Sequence, residues 1–184
     1  MVTPTGGKVA LGSVFYTPFF LKLYEKYVLG YNFPILWGCD PENILAPHFI
    51  QGFTSRHLDC GVADGYFLHR TLEELDVVAR SECRLTLIDL NVNSLATAQR
   101  RILGILNGNT SIRCVNRDIT APLPDELVGS SFTSISLFNL FPCVPGDVVK
   151  WQAITTYTQV LADDGFLTEC TVLGKDYIIS RLAW

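Results

Sequence analysis

Charge is scarce in this 184-residue chain, where Asp, Glu, Lys and Arg together make up 17% of the residues, against roughly a quarter in an ordinary soluble domain. The balance is −4 with a pI near 5.3, and no Lys/Arg cluster interrupts it. The electrostatic basis for gripping a phosphate backbone is therefore missing, and no nucleic-acid partner is expected. Long apolar runs are missing too. A membrane span needs roughly 18 to 20 such residues, and the best candidate, Val9 to Leu23, contains Pro18 and Lys22. That stretch has neither a basic leader nor a clear small-residue cleavage site, so it is not read as a signal peptide and a cytoplasmic location is expected. The six cysteines form no C-x-x-C pair and have no histidine at metal spacing. No metal site is expected, and the thiols read as small buried hydrophobes in a reducing compartment.

What the chain does have is apolar substance: 48% hydrophobic residues and a mean hydropathy of +0.27. The surplus must enter a large core, a ligand pocket or a subunit interface. A chain of this length normally forms one domain. After residue 55, short apolar runs alternate with helical patterns, the signature of an α/β fold with a parallel sheet of about five strands. Strands are expected at Arg56 to Cys60, Arg84 to Asp89, Ser111 to Asn116, Phe132 to Leu137 and Gly165 to Leu173. Helices are expected over Tyr66 to Ala79, over Asn91 to Leu106 with Asn91 or Asn93 as cap and Gly108 as stop, and over Val148 to Leu161. Residues 1–55 form a separate aromatic-rich segment, with an amphipathic helix predicted over Pro18 to Leu29, leaving 56–184 as the core.

The sharpest local signal is His57-Leu58-Asp59-Cys60-Gly61-Val62-Ala63-Asp64-Gly65. An apolar strand that ends in a small-residue turn and opens a helix lets the backbone come close to a ligand. The spacing excludes two familiar phosphate cradles. Tyr66 stands where a dinucleotide turn needs its third glycine, and no G-K-[ST] follows. The spacing that does match is D-x-G-x-G-x-G, with Asp59, Gly61, Ala63 and Gly65 in the marked places.

This pattern resembles the first motif of class I S-adenosylmethionine-dependent methyltransferases, and the resemblance runs from about Tyr24 to Leu173. It implies a Rossmann-like three-layer sandwich beneath an N-terminal helical lid. Asp89, with Leu90 beside it, stands 30 positions beyond Asp59 at the end of the second strand, where a carboxylate accepts both ribose hydroxyl protons. Asp118 and Ile119 follow the third strand, where the family places an acidic side chain near the adenine amino group. Asn139, after the fourth strand, is implied to face the cofactor, S-adenosylmethionine. Tyr24, Tyr31, Trp37 and Phe141 are implied to line a pocket for a small apolar metabolite. The upstream segment is similar to that of small methyltransferases of fungal and bacterial natural-product pathways.

Two departures stand out. Ala63 replaces the middle glycine of the motif, at a cost on the order of a kcal/mol if the position needs positive φ. After the fifth strand there is no room for the family's sixth and seventh strands, so an exposed sheet edge is expected, covered by a second copy in a homodimer. Methyl transfer requires in-line placement and a general base only where the acceptor loses a proton. Of the three histidines, His57 falls inside a strand and His69 on a helix, both read as structural, which leaves His48 as the candidate base. Three functions remain open at this stage: a methyltransferase, a methyltransferase-like cyclase or isomerase that keeps the fold without methyl transfer, and a non-catalytic partner subunit.

Overall fold

Polar and apolar residues alternate along the strand Arg56–Cys60, β1, and a period of two sends Leu58 and Cys60 to one face and His57 and Asp59 to the other. A computed structural model describes residues 30–31, 33–35, 38–106 and 111–171. The expected helix over Pro18 to Leu29, the stop at Gly108 and the segment beyond residue 171 lie outside them. A π-helical turn, Pro41–Leu45, runs into helix α1, Ala46–Gln51, ahead of β1. Then follow α2 (Tyr66–Glu74), α3 (Val77–Glu82), β2 (Arg84–Asp89), α4 (Val92–Leu103), β3 (Ser111–Asn116), β4 (Phe132–Phe138), α5 (Asp147–Thr158) and β5 (Leu161–Cys170). All four strand pairings are parallel, in the order β3-β2-β1-β4-β5.

Helices cover both faces of this sheet. One buried cluster joins Leu85 and Leu87 of β2 to Phe49 of α1, Leu68 and Leu72 of α2, and Leu95, Ala98 and Ile102 of α4. The other joins Leu58, Ile88, Ile135 and Leu137 to Ala153 and Tyr157 of α5. The fold is thus the expected α/β three-layer sandwich with five parallel strands. Among the described residues, no helix is long and apolar enough to cross a membrane.

Several boundaries differ from expectation, among them the helix expected over Val148 to Leu161, which runs Asp147–Thr158. The helix predicted over Tyr66 to Ala79 is two helices, because Leu75 turns extended (ψ 147°) and Asp76 then caps α3 by accepting the Ala79 amide at 2.8 Å. At α4 the cap is Asn91, whose side chain accepts the Asn93 amide, and the helix ends at Gly104. β5 starts at Leu161 rather than Gly165. Its pairing jumps from Phe132↔Leu161 to Ser134↔Phe166, so the residues expected as a turn are absorbed as an irregularity within the strand.

Chain order positions the site. β2 and β3 lie to one side of β1, whereas β4 and β5 lie to the other, so connections leave the tips of β1 and β4 in opposite directions. Open α/β sheets bind ligands in the crevice at such a switch point.

Candidate functional site

The turn after β1 enters the left-handed region three times, at Gly61 (φ +77°), Ala63 (φ +49°) and Gly65 (φ +76°). At Gly65 a side chain is excluded twice over. Its φ is positive, and a Cβ there would sit 2.9 Å from Cβ of Ala98 on α4. At Gly61 a Cβ would come 2.6 Å from Cδ1 of Leu140, which packs over the turn from beyond β4. Ala63 takes the left-handed conformation despite its methyl group, at a cost of about 1–2 kcal/mol.

This turn makes one wall of a cleft that also includes Asp59 at its floor, Phe138 and Asn139 at the tip of β4, and Phe49, Tyr66 and Phe67 from the helices above. The rings pack on one another, with Phe49 and Phe138 edge-to-face at 4.8 Å and Phe67 5.4 Å from Phe138. Asp64 anchors the wall from behind. It accepts from Arg101 of α4 at 2.6 Å, and that guanidinium also lies 5.7 Å from the Tyr66 ring centroid. The Tyr66 hydroxyl donates to Glu42, which also pairs with Arg70, tying the turn before α1 to α2.

Two buried carboxylates dominate the electrostatics. Burial pushes Asp59 up to about 7, opposed by the Ser136 hydroxyl that donates to its Oδ1 at 2.7 Å and reinforced by the negative charge of Asp89. Burial likewise pushes Asp89 up to about 6, opposed by the amides of Asn91 and Ala63, which donate at 2.8 and 3.3 Å. An ionised carboxylate offers about four acceptor sites, so Asp89 keeps two beyond those amides. Two desolvated anions flanking one turn favour a ligand that is cationic and carries vicinal hydroxyls. S-adenosylmethionine, with a sulfonium, an ammonium and a ribose, is of that kind, and the residues present fit it.

The structure brings Asp59, Gly61, Ala63 and Asn139 together in the cleft, with Asp89 joined through the Ala63 amide. Asn139 has φ +53°, and its amide donates to the Cys170 carbonyl at 2.8 Å. Beyond Asp89 the remaining residues separate. Leu90 is half-exposed, Asp118 accepts from both the amide and the hydroxyl of Thr120, and Ile119 is buried in the core on the α5 side of the sheet. Phe141, expected to line the substrate pocket, is instead buried in that same core, because a 3₁₀ turn at Phe141–Cys143 folds it under the sheet. Tyr31 is exposed, and Tyr24 and Trp37 lie outside the described residues. His48, expected in irregular chain, lies on α1. It is exposed and outside the cleft wall, with its ring 5.6 Å from that of Phe138.

Several site residues were missed in the sequence. Phe49, Phe67 and Phe138 had no signal beyond being aromatic. Ser136 had one: Ser134 and Ser136 alternate with Ile135 and Leu137, a polar stripe inside an apolar strand. Glu169 is another. It lies on β5, its Oε1 is buried with no hydrogen-bond partner, and it is close enough to His48 for the two charges to interact.

No family model matches the chain. It is 40% identical, over 184 aligned residues, to the O-methyltransferase NEC2 of Pyricularia oryzae, an alignment covering 87% of this chain and 69% of that one. The chain belongs to the class I S-adenosylmethionine-dependent methyltransferase family. A second relative of this methyltransferase is the physcion biosynthesis cluster O-methyltransferase of Aspergillus chevalieri, 34% identical over 176 residues that cover 95% of this chain and 72% of that one. Solved structures show the same fold. The N-methyltransferase NodS of Bradyrhizobium japonicum, in complex with S-adenosyl-L-homocysteine, superposes with a TM-score of 0.52 at 21% identity, covering 70% of this methyltransferase. The pyocyanin biosynthetic protein PhzM superposes at 0.51 and 19%, covering 68%. The chain spans 58% and 35% of those two proteins.

Proposed function

We propose that this chain moves a methyl group from S-adenosylmethionine to a hydroxyl oxygen of a small apolar metabolite in natural-product biosynthesis. The observation that carries this reading is the pair of a buried Asp59 and a part-buried Asp89 at the ends of adjacent strands, on either side of one glycine turn. The O-methyltransferase names of the fungal relatives support oxygen as the acceptor atom.

In this reading Asp89 holds the ribose hydroxyls and Asp59 faces the amino group, while the Gly61-to-Gly65 turn passes along the methionine portion. The bound cofactor supplies the electrophilic methyl carbon. Phe49, Phe67 and Phe138 exclude water and hold the acceptor in line. His48, whose ring lies 5.6 Å from that of Phe138, takes the acceptor's proton. The outer edge of β5, where Phe166 is 59% exposed, pairs with a second copy of the chain in the cytoplasm. Light scattering that returns a monomer at micromolar concentration would refute that pairing.

Calorimetric titration with S-adenosylmethionine and S-adenosylhomocysteine, followed by labelled methyl transfer to a panel of phenols, tests the main proposal. Binding of both with transfer to at least one phenol is expected. Failure to bind either would overturn it, and binding without transfer to any acceptor would favour a fold kept for another reaction.

A further inference from the structure

Behind the cleft floor runs a line of hydrogen bonds, part-buried at Thr54 and buried from His57 to Asp59, that the proposed transfer does not itself use. Thr133 Oγ1 lies 2.6 Å from Thr54 Oγ1, and Thr54 reaches Ser134 Oγ through both its hydroxyl (2.9 Å) and its amide (3.0 Å). Ser134 Oγ is 2.7 Å from His57 Nδ1, His57 Nε2 is 3.1 Å from Ser136 Oγ, and Ser136 donates to Asp59 at 2.7 Å. The register makes this possible. His57 pairs with Ser134 and Asp59 with Ser136 on parallel strands, so all four side chains share one sheet face.

The proton directions follow from one group that can only donate. The Thr54 amide and hydroxyl fill both lone pairs of Ser134, so the Ser134 proton must go to His57 Nδ1. A neutral imidazole then carries its own proton on Nε2, which donates to Ser136 and leaves the Ser136 proton for Asp59. Burial among Phe49, Phe53 and the two serines keeps His57 neutral by pushing its pKa down to about 3. From Thr54 onward every hydrogen in the line therefore points toward the Asp59 carboxylate.

We infer that His57 is a positioning residue which, held in one tautomer by Ser134, fixes Ser136 as a donor and so favours the ionised form of Asp59 and orients it as an acceptor for a cationic ligand group. Its consequence for cofactor affinity rests on the function proposed above, but the ordering of the line does not. The charged or titratable groups around Asp59 are Asp89 on β2, Asp64 on the turn with its partner Arg101 on α4, and Cys60 on β1. From β4 come only hydroxyls, and from α1 the Phe49 ring. None of these supplies a cation in contact with Asp59, so the directed hydroxyl is what favours its charge.

The test uses the intact, ligand-free protein. Nitrogen-15 spectra of the imidazoles are expected to show His57 as the Nε2–H tautomer across neutral pH. Carboxyl carbon-13 titration is expected to show the Asp59 midpoint rising by about one pH unit, a tenfold change, in Ser134→Ala, whose altered group never touches Asp59. Ser136→Ala, which removes the direct donor, should raise it at least as far. An Nδ1–H tautomer, or an Asp59 midpoint unmoved in Ser134→Ala, would overturn the inference. In Ser134→Ala the pH profile of S-adenosylhomocysteine affinity should shift alkaline with its high-pH limit unchanged, whereas a loss uniform across pH would mark a merely structural role. If S-adenosylhomocysteine bound to no form of the protein, the cofactor reading would fail while the tautomer and carboxyl titrations still decided the role of His57.

Discussion

Asp89 Oδ2 accepts the amide hydrogen of Ala63 at 3.3 Å, so the acid at the end of the second strand also holds the turn that follows the first. One carboxylate thus does two jobs. It braces a left-handed residue through the Ala63 amide and keeps acceptor capacity beyond the two amides it already binds.

Replacing Asp89 should separate those jobs. If Asp89 holds the ribose as proposed, Asp89→Ala removes a charge-assisted acceptor, and S-adenosylhomocysteine affinity should fall by about 1.5–3 kcal/mol, roughly ten- to two-hundredfold. Asp89→Asn retains one carbonyl acceptor and should lose less. Calorimetry showing wild-type affinity in Asp89→Ala would place the ribose elsewhere.

Ala63→Gly should stabilise the protein. At φ +49° the alanine bears left-handed strain of about 1–2 kcal/mol, while glycine loses about 0.5–1 kcal/mol more through chain entropy. A net gain of up to about 1.5 kcal/mol is expected in urea unfolding, together with cofactor binding at least as tight as before. A less stable variant would mean that the alanine methyl makes a packing contact worth more than the strain.

Gly65→Ala should do the reverse. Its Cβ would press on Ala98 at 2.9 Å in a backbone conformation that L residues rarely adopt, and the loss should be about 1–3 kcal/mol. The companion variant Gly129→Ala shares a positive φ but meets nothing within 4 Å. The difference in urea midpoint between the two measures the α2–α4 approach alone.

The ligand-free protein should lose stability as pH rises from about 4 to about 7. The folded-state pKa values of Asp59 and Asp89, about 7 and about 6, exceed the ordinary carboxylate value, so the native state binds more protons in this interval and stability is highest below it. His57, depressed to about 3, acts in the opposite sense between about 3 and 6.5 and offsets part of the slope. Thermal midpoints across this range should fall with pH in the free protein and fall less with S-adenosylmethionine present. A rising midpoint in the free protein between pH 6.5 and 7 would contradict burial of Asp59.

Much of the scaffold was legible in the chain. β1, β2 and β3 stand where the short runs between helical patterns put them, because each run is bounded by turn residues and too short for a helix. The acidic strand end at Asp89 and the glycine turn were legible for a related reason, since local backbone geometry restricts which residues can occupy them. The break at Leu75, the shifted start of β5 and the burial of Phe141 were not. Each depends on what lies opposite in space: the cap of a following helix, the register of a neighbouring strand, and the face onto which a short turn folds.

His57 shows where the division falls. Its place inside a strand, and hence a structural role, followed from the sequence alone, as did the α/β fold with a glycine turn after its first strand. That it joins Asp59 to Ser134 and Ser136 was decided only when β4, some 77 residues away, came to lie beside β1 in one register. Periodicity assigns side chains to faces within a strand, but only the pairing of distant strands determines which faces meet, and a buried hydrogen-bonded line exists only where they do.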